Sequence, residues 1–239
     1  MATTTYELAK IQRLRQQAAR VVQTELEPPE GWSVNLVDPM DVLAVFKPLR
    51  LKTGFVLRAY QFCSGGNGNG VVWAMPSEAE YPDPGYGQQE RASLFDPPKP
   101  DFALDNFMDA IEGDGTAWSY LCASLFCREA DELGARWHGC AWSTHQILGG
   151  NPLTASPATR RRLSLSGTPP SDWRWVQQES AEWLPSVEES AGTMTVTFYT
   201  LSSLGVETIY RHRDRFRRHG YRFRSYRKAI AFGGGGFVF

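Results

Sequence analysis

Apolar residues recur at helical spacing in three stretches of the chain. Ile11, Leu14 and Ala18 lie on one face of a segment that a Pro-Pro pair ends, so the pattern predicts an N-terminal helix over about 6–26. Similar stripes run over 104–112 and 117–133, and a Gly-Asp-Gly turn separates them. Two amphipathic segments joined by so short a turn predict a central αα-hairpin.

Short apolar runs between turn residues predict β-strands in the first third of the chain. The runs over 42–46, 54–62 and 71–75 have the length of strands. A loop rich in glycine and asparagine over 65–70 precedes the last of them, and Asn-Gly steps favour hairpin connections. We therefore predict a β-hairpin there. The loop lacks the residue spacing and the following helix of known phosphate-binding loops, and an anion-binding loop is the alternative.

The last third of the chain predicts a strand–helix–strand unit. Residues 193–199 alternate between apolar and polar side chains, and residues 221–232 show a second β pattern. Between them, Ser203 is suited to cap a helix that ends near Gly220. Together with the N-terminal helix and the αα-hairpin, this order predicts an α+β fold with a mixed β-sheet.

The chain of 239 residues is long enough for one large domain or two small ones. We expect a single domain over 1–239, and the alternative is a division into 1–150 and 173–239 around a linker at about 150–172. The stretch 76–100 contains six prolines, which exclude a long helix or a central strand. We expect a surface connection or a lid there.

Composition indicates whether the chain folds and in which cellular environment we expect it. Hydrophobic residues make up 42% and aromatic residues 13% of the chain, which excludes wholesale disorder. The mean hydropathy is −0.37, and no run of about 18 apolar residues predicts a membrane span. The N-terminal residues lack the apolar core of a secretion signal, and four cysteines are too few for a disulfide scaffold. The protein is therefore expected to be cytoplasmic, with reduced cysteines and no membrane partner.

Although the net charge is −1, the chain contains two charged blocks of opposite sign. Residues 76–114 contain ten acidic and two basic side chains, a local charge of −8. Residues 211–228 contain nine basic side chains and one acidic side chain, a local charge of +8. The two blocks either pair with each other within the fold or leave the basic block available to an anionic partner.

The basic block also carries aromatic side chains between its arginines. Guanidinium groups bind phosphate and carboxylate in pairs of hydrogen bonds, and aromatic rings stack on bases. The predicted binding residues are Arg211, Arg213, Arg215, Arg217, Arg218, Arg222, Phe223, Arg224, Tyr226 and Arg227. We predict a non-catalytic binding or accessory protein that presents this segment to an acidic protein or a nucleic acid. As an alternative role, cations at the end of the predicted helix offset its dipole.

A second hypothesis places catalysis at His138, Cys140 and His145. A thiol beside an imidazole can act as a nucleophile, and both groups bind zinc, so this segment suits a small hydrolase or transferase. If the segment is extended, His138 and Cys140 share one face and His145 lies on the other. The structural alternative is a buried cysteine with hydrogen-bonded histidines, and no metal ligand set or cofactor is assigned. The carboxylates Asp105, Asp109 and Glu112 fit the solvated face of the predicted helix, and Asp114 lies in the Gly-Asp-Gly turn. A general acid–base pair or a Mg²⁺ site is the alternative for this cluster.

Overall fold

The computed structural model describes residues 2–23, 26–84, 96–163, 165, 169–177 and 182–238. Its α-helices are α1 (Leu8–Val21), α2 (Pro39–Val45), α3 (Ala117–Asp131) and α4 (Pro157–Arg162). Its first six strands are β1 (Ala2–Thr5), β2 (Gly31–Val34), β3 (Leu49–Leu51), β4 (Phe55–Ser64), β5 (Asn67–Pro76) and β6 (Ile111–Gly113). The remaining strands are β7 (His145–Leu148), β8 (Arg174–Trp175), β9 (Ser186–Ser190), β10 (Thr193–Ser202), β11 (Thr208–Arg217) and β12 (Phe223–Phe232). The α+β class is confirmed, and strands contribute more of the structure than helices.

The chain divides into two compact units. Unit 1 comprises Met1–Arg13, Ser143–Arg218 and Phe223–Phe239, and unit 2 comprises Leu14–Trp142 and His219–Arg222. No helix among the described residues is long and apolar enough to cross a bilayer.

Unit 1 is built on a seven-stranded sheet in the order β1-β9-β10-β11-β12-β8, and β7 also pairs with β10. Every ladder between its described strands is antiparallel, so the predicted mixed sheet is wrong. The predicted strand–helix–strand unit is also wrong, because β11 occupies the place of its helix. The residues from His212 to Arg217 alternate between buried and exposed, which is the period of a strand.

One half of the unit 1 sheet carries a hydrophobic core rich in tryptophan. The core consists of Leu148, Leu163, Leu165, Trp173, Trp183, Tyr199, Leu201, Ile209, Ile230 and Ala231. Leu163 and Leu165 belong to the segment 150–172, which was predicted as a linker and which contains α4. Residues 164 and 166–168 of that segment lie outside the described residues.

Unit 2 contains the predicted hairpin, formed by β4 and β5, with β2 on the outer side of β4. The turn is Gly65-Gly66, and the rest of the glycine-rich segment belongs to β5. The run 42–46, predicted as a strand, lies largely within α2. Asp38 caps this helix by accepting a hydrogen bond from the amide N–H of Met40, and Pro39 occupies the first turn.

The predicted αα-hairpin is half right. Its second helix is α3, which Thr116 caps by accepting a hydrogen bond from the amide of Ser119. The first is instead a 3-10 turn, Phe107–Ala110, followed by β6, which pairs with β3. Phe107, Met108 and Ile111 are nevertheless buried, so the apolar stripe was a sign of burial and not of an α-helix.

The proline-rich connection lies against the β4–β5 hairpin where it is described. The Tyr60 hydroxyl donates to the carbonyl of Pro82 at 2.5 Å, and the Trp73 indole N–H donates to the carbonyl of Pro98 at 3.0 Å. Burial, together with the charge of Asp83, raises the pKa of Tyr60 to about 12, because both disfavour the phenolate. Residues 85–95, the rest of the predicted connection or lid, lie outside the described residues.

Candidate functional site

The register of β11 and β12 sorts the basic block into two faces. Residues directly opposite each other in an antiparallel pair share a face. Arg213 pairs with Tyr226, Arg215 with Arg224, and Arg211 with Lys228. One face therefore carries six exposed residues, which we call the basic face: Arg213, Arg215, Arg217, Arg224, Tyr226 and Lys228.

The basic face continues onto β10 as a row of threonines. Thr193 and Thr197 pair with Arg217 and Arg213, and both are half-buried. Side chains two residues apart on a strand are separated by about 6.6 Å, so the guanidinium groups form a regular row. Tyr226 has 52% of its surface exposed and lies beside this row. On the next strand, Glu188 pairs with Thr195 and shares the face.

Two pairs of cations lie directly across from each other in this hairpin. Arg215 is opposite Arg224, and Arg211 is opposite Lys228. Like charges in such positions destabilise a sheet. Among the described residues of unit 1, no acidic side chain is within ion-pair distance of a basic residue of the face; Glu188, which shares the face, is separated from Arg215 by Thr195.

The other five predicted binding residues are not members of the basic face, although the register places Arg211 on the same side of the sheet, opposite Lys228. Arg218 forms an ion pair with Glu189 at 3.1 Å in unit 1, and Arg222 forms one with Asp109 at 2.8 Å in unit 2. Arg227, on the opposite face of β12, places its guanidinium 5.1 Å from the ring centroid of Tyr210. Two more predicted residues are partly buried: Phe223 packs on Phe216, and Arg211 is half-exposed.

Some acidic residues of the 76–114 block are paired within unit 2. Besides the pair of Arg222 and Asp109, Lys99 lies 2.5 Å from Asp105. The hydrogen bond from Lys99 and its charge hold the pKa of Asp105 below its usual value. One basic residue of the 211–228 block is thus neutralised by the acidic block in this unit.

The predicted catalytic residues divide between the two units. His138 and Cys140 belong to unit 2, and His145 begins β7 in unit 1. The segment around them was predicted to be extended, but Trp137–Gly139 and Trp142–Thr144 are 3-10 turns. The amide N–H groups of this segment form hydrogen bonds within the fold. Those of Ala141, at 2.5 Å, and of Trp142 donate to the carboxylate of Glu132.

Each of these histidines has a polar partner within its own unit. The Nδ1 atom of His138 lies 2.7 Å from the Oδ1 atom of Asn67. The Nδ1 atom of His145 lies 2.7 Å from the hydroxyl of Thr200, which in turn lies 2.9 Å from Nε2 of His212. Across the described part of the chain, no group of three or more His, Cys, Asp or Glu side chains is placed to hold a metal ion. The hydrogen-bonded arrangement matches the structural alternative for both histidines.

The glycines of the 65–70 loop allow the backbones of unit 2 to approach closely. A Cβ atom on Gly70 would lie 1.5 Å from the carbonyl oxygen of Leu133, and one on Gly139 would lie 1.8 Å from the carbonyl oxygen of Gly68. The amide of Gly68 donates to the carbonyl of Arg136, and the amide of Gly65 donates to the carboxylate of Glu30. These donors are used within the fold, which supports the hairpin interpretation over an anion-binding loop.

The sequence interpretation missed Lys228 and the threonine row as parts of one surface. The signal was present, because arginine occupies every second position from 211 to 217. That alternation is typical of a strand with one charged face. Comparison of the chain with protein-family models, with curated proteins and with solved structures found no match.

Proposed function

We propose that this protein binds single-stranded nucleic acid on the basic face of unit 1. The observation that carries the proposal is the pair of cations directly opposite each other, Arg215 and Arg224, on an exposed sheet surface. Such a pair costs folding free energy. Residues that destabilise the fold and make no evident stabilising contact are characteristic of functional sites. An anionic ligand bound between the two arginines would remove their repulsion.

Nucleic acid suits this surface better than an acidic protein does. Guanidinium groups and threonine hydroxyls are both common partners of phosphate oxygens. The row of arginines on β11 has a spacing comparable to that of successive phosphates along an extended strand. Tyr226 adds an exposed ring among the cations, and a ring in that position stacks on a base but has no counterpart on a carboxylate. A single strand offers unpaired bases to this ring, whereas a duplex does not.

The direct test is the fluorescence anisotropy of a labelled oligothymidylate of about 16 nucleotides. Contacts with about five phosphates predict an affinity that falls about 100-fold between 50 and 200 mM salt. An unlabelled duplex of equal length and polyglutamate serve as competitors, and both are expected to compete more weakly than the unlabelled single strand. Equal competition by polyglutamate would favour an acidic protein as the partner, and no binding at 50 mM salt would reject an anionic partner altogether.

Replacement of Tyr226 by alanine tests the stacking contribution separately. A base–aromatic stack contributes about 1–3 kcal/mol, so Tyr226→Ala is expected to weaken single-strand binding by between about 5-fold and 150-fold at constant salt. Tyr226→Phe keeps the ring and is the matched control, with an expected change below about 3-fold. The slope of affinity against salt should not change in either variant. If both variants bind like the wild type, the tyrosine does not contact a base.

A further inference from the structure

Unit 1 contains a cavity that lies outside the basic face. Its volume is about 240 Å³, and it is bounded by the start of α1, the end of β7, the following loop and α4. Ile147, Leu148 and Leu163 are buried members of its lining, and Leu8 and Leu184 add further apolar surface. Most of the lining is therefore the kind of surface that accepts a hydrocarbon group.

The lining contains one charged side chain among the residues that the structure describes, Arg162 at the end of α4. Arg162 is exposed and forms no ion pair with a described residue. The other polar members of the lining, among them Gln12 and Thr159, are uncharged, and none is acidic. A ligand anion beside Arg162 would thus meet a cation without meeting a repelling carboxylate.

We propose that this cavity binds a small amphipathic carboxylic acid, with its hydrocarbon part among the leucines and its carboxylate on Arg162. A cavity of about 150 Å³ accommodates benzene, so the volume here accommodates on the order of ten non-hydrogen atoms. A medium-chain fatty acid or a compact arylalkanoic acid has this size. This site does not depend on the proposed nucleic-acid binding, and either can fail without the other.

The site can be tested with octanoate, which has the required size, and with octanamide, which has the same shape and no charge. Methyl-labelled NMR spectra of the full chain are recorded during titration with each compound. We expect shifts confined to the methyl groups of Leu8, Ile147, Leu148, Leu163 and Leu184. Octanoate is expected to bind about tenfold more tightly than octanamide, because a hydrogen bond to a charged group contributes more than a neutral one.

Two substitutions separate the charge from the cavity. Arg162→Gln is expected to remove the preference for octanoate, and Arg161→Gln, an exposed neighbour on α4 that does not line the cavity, should keep it. Gly149→Val narrows the cavity, since a Cβ atom there would lie 3.1 Å from the Leu8 side chain and 3.6 Å from that of Leu184, and should abolish the shifts with both compounds. Equal affinities of the wild type for octanoate and octanamide would overturn the carboxylate assignment. Shifts that are absent, or spread over other methyl groups, would overturn the site itself.

Discussion

The double substitution Arg213→Glu with Arg215→Glu is expected to weaken the binding of single-stranded nucleic acid by about 100-fold or more at 50 mM salt. Each arginine supplies a charge-assisted hydrogen bond worth about 1.5–3 kcal/mol, and each glutamate adds repulsion against phosphate. Both positions are exposed on the basic face. Fluorescence anisotropy with the labelled oligothymidylate measures the change directly.

The same double variant is expected to be at least as stable as the wild type. Arg215→Glu places a carboxylate opposite Arg224, so a like-charge pair becomes an opposite-charge pair worth about 0.2–1 kcal/mol. Urea denaturation measures this change. The combination of lost binding and retained stability distinguishes a functional surface from a structural one. A variant that unfolds more readily in step with its loss of binding would contradict the proposal.

A matched control places the same change in charge on another surface. Arg13→Glu with Arg20→Glu alters two exposed positions on α1, and it lowers the net charge by the same amount. Its affinity is expected to remain within about 3-fold of the wild type, because neither position belongs to the basic face. Equal losses in the two double variants would mean that net charge, and not the basic face, controls binding.

Gly70→Ala is expected to destabilise unit 2 by about 3–5 kcal/mol. The new Cβ atom would lie 1.5 Å from the carbonyl oxygen and 2.7 Å from the carbonyl carbon of Leu133. Both are backbone atoms, so the clash cannot be relieved by a side-chain rotation and β5 must move away from the turn after α3. Urea denaturation followed by tryptophan fluorescence gives the change in the free energy of unfolding.

Gly150→Ala is the control for this substitution, because its Cβ atom meets nothing within 4 Å. Its stability should lie within about 0.5 kcal/mol of the wild type, or slightly above it, since alanine restricts the unfolded chain. If Gly70→Ala also stays within that range, the close approach between β5 and the residues after α3 does not hold in solution.

Several elements follow from local sequence because their determinants are local. The N-terminal helix has an apolar stripe, although it ends at Val21 and not at the Pro-Pro pair, and α3 has a stripe and a threonine cap. The β4–β5 hairpin has two apolar runs around a glycine turn. The helices form backbone hydrogen bonds between residues four apart, and the hairpin pairs outward from its turn, so the local pattern specifies each element.

Other elements depend on partners that are distant in sequence. The stripe over 104–112 fits a helix, but Ile111 pairs with Leu51, sixty positions away, and this pairing determines the backbone. Likewise, Ile209 and Tyr210 fit a helical face, yet ten positions of β11 pair with β10. The spacing of hydrophobic residues indicates which side chains are buried. It indicates the backbone conformation only when no strand distant in sequence competes for the backbone hydrogen bonds.

The sequence by itself determined which side chains with distinctive chemistry lie near one another along the chain. They form a basic segment with interspersed aromatic rings and a second segment with two histidines and a cysteine. Only the tertiary structure decided which of these groups share a face of the sheet or a unit of the fold. The strand register places Arg227 on the face opposite Arg213 and Arg215, and His145 belongs to unit 1 whereas His138 and Cys140 belong to unit 2. The reason is physical, because the face that a side chain takes is set by cross-strand hydrogen bonds to residues that composition and spacing do not identify.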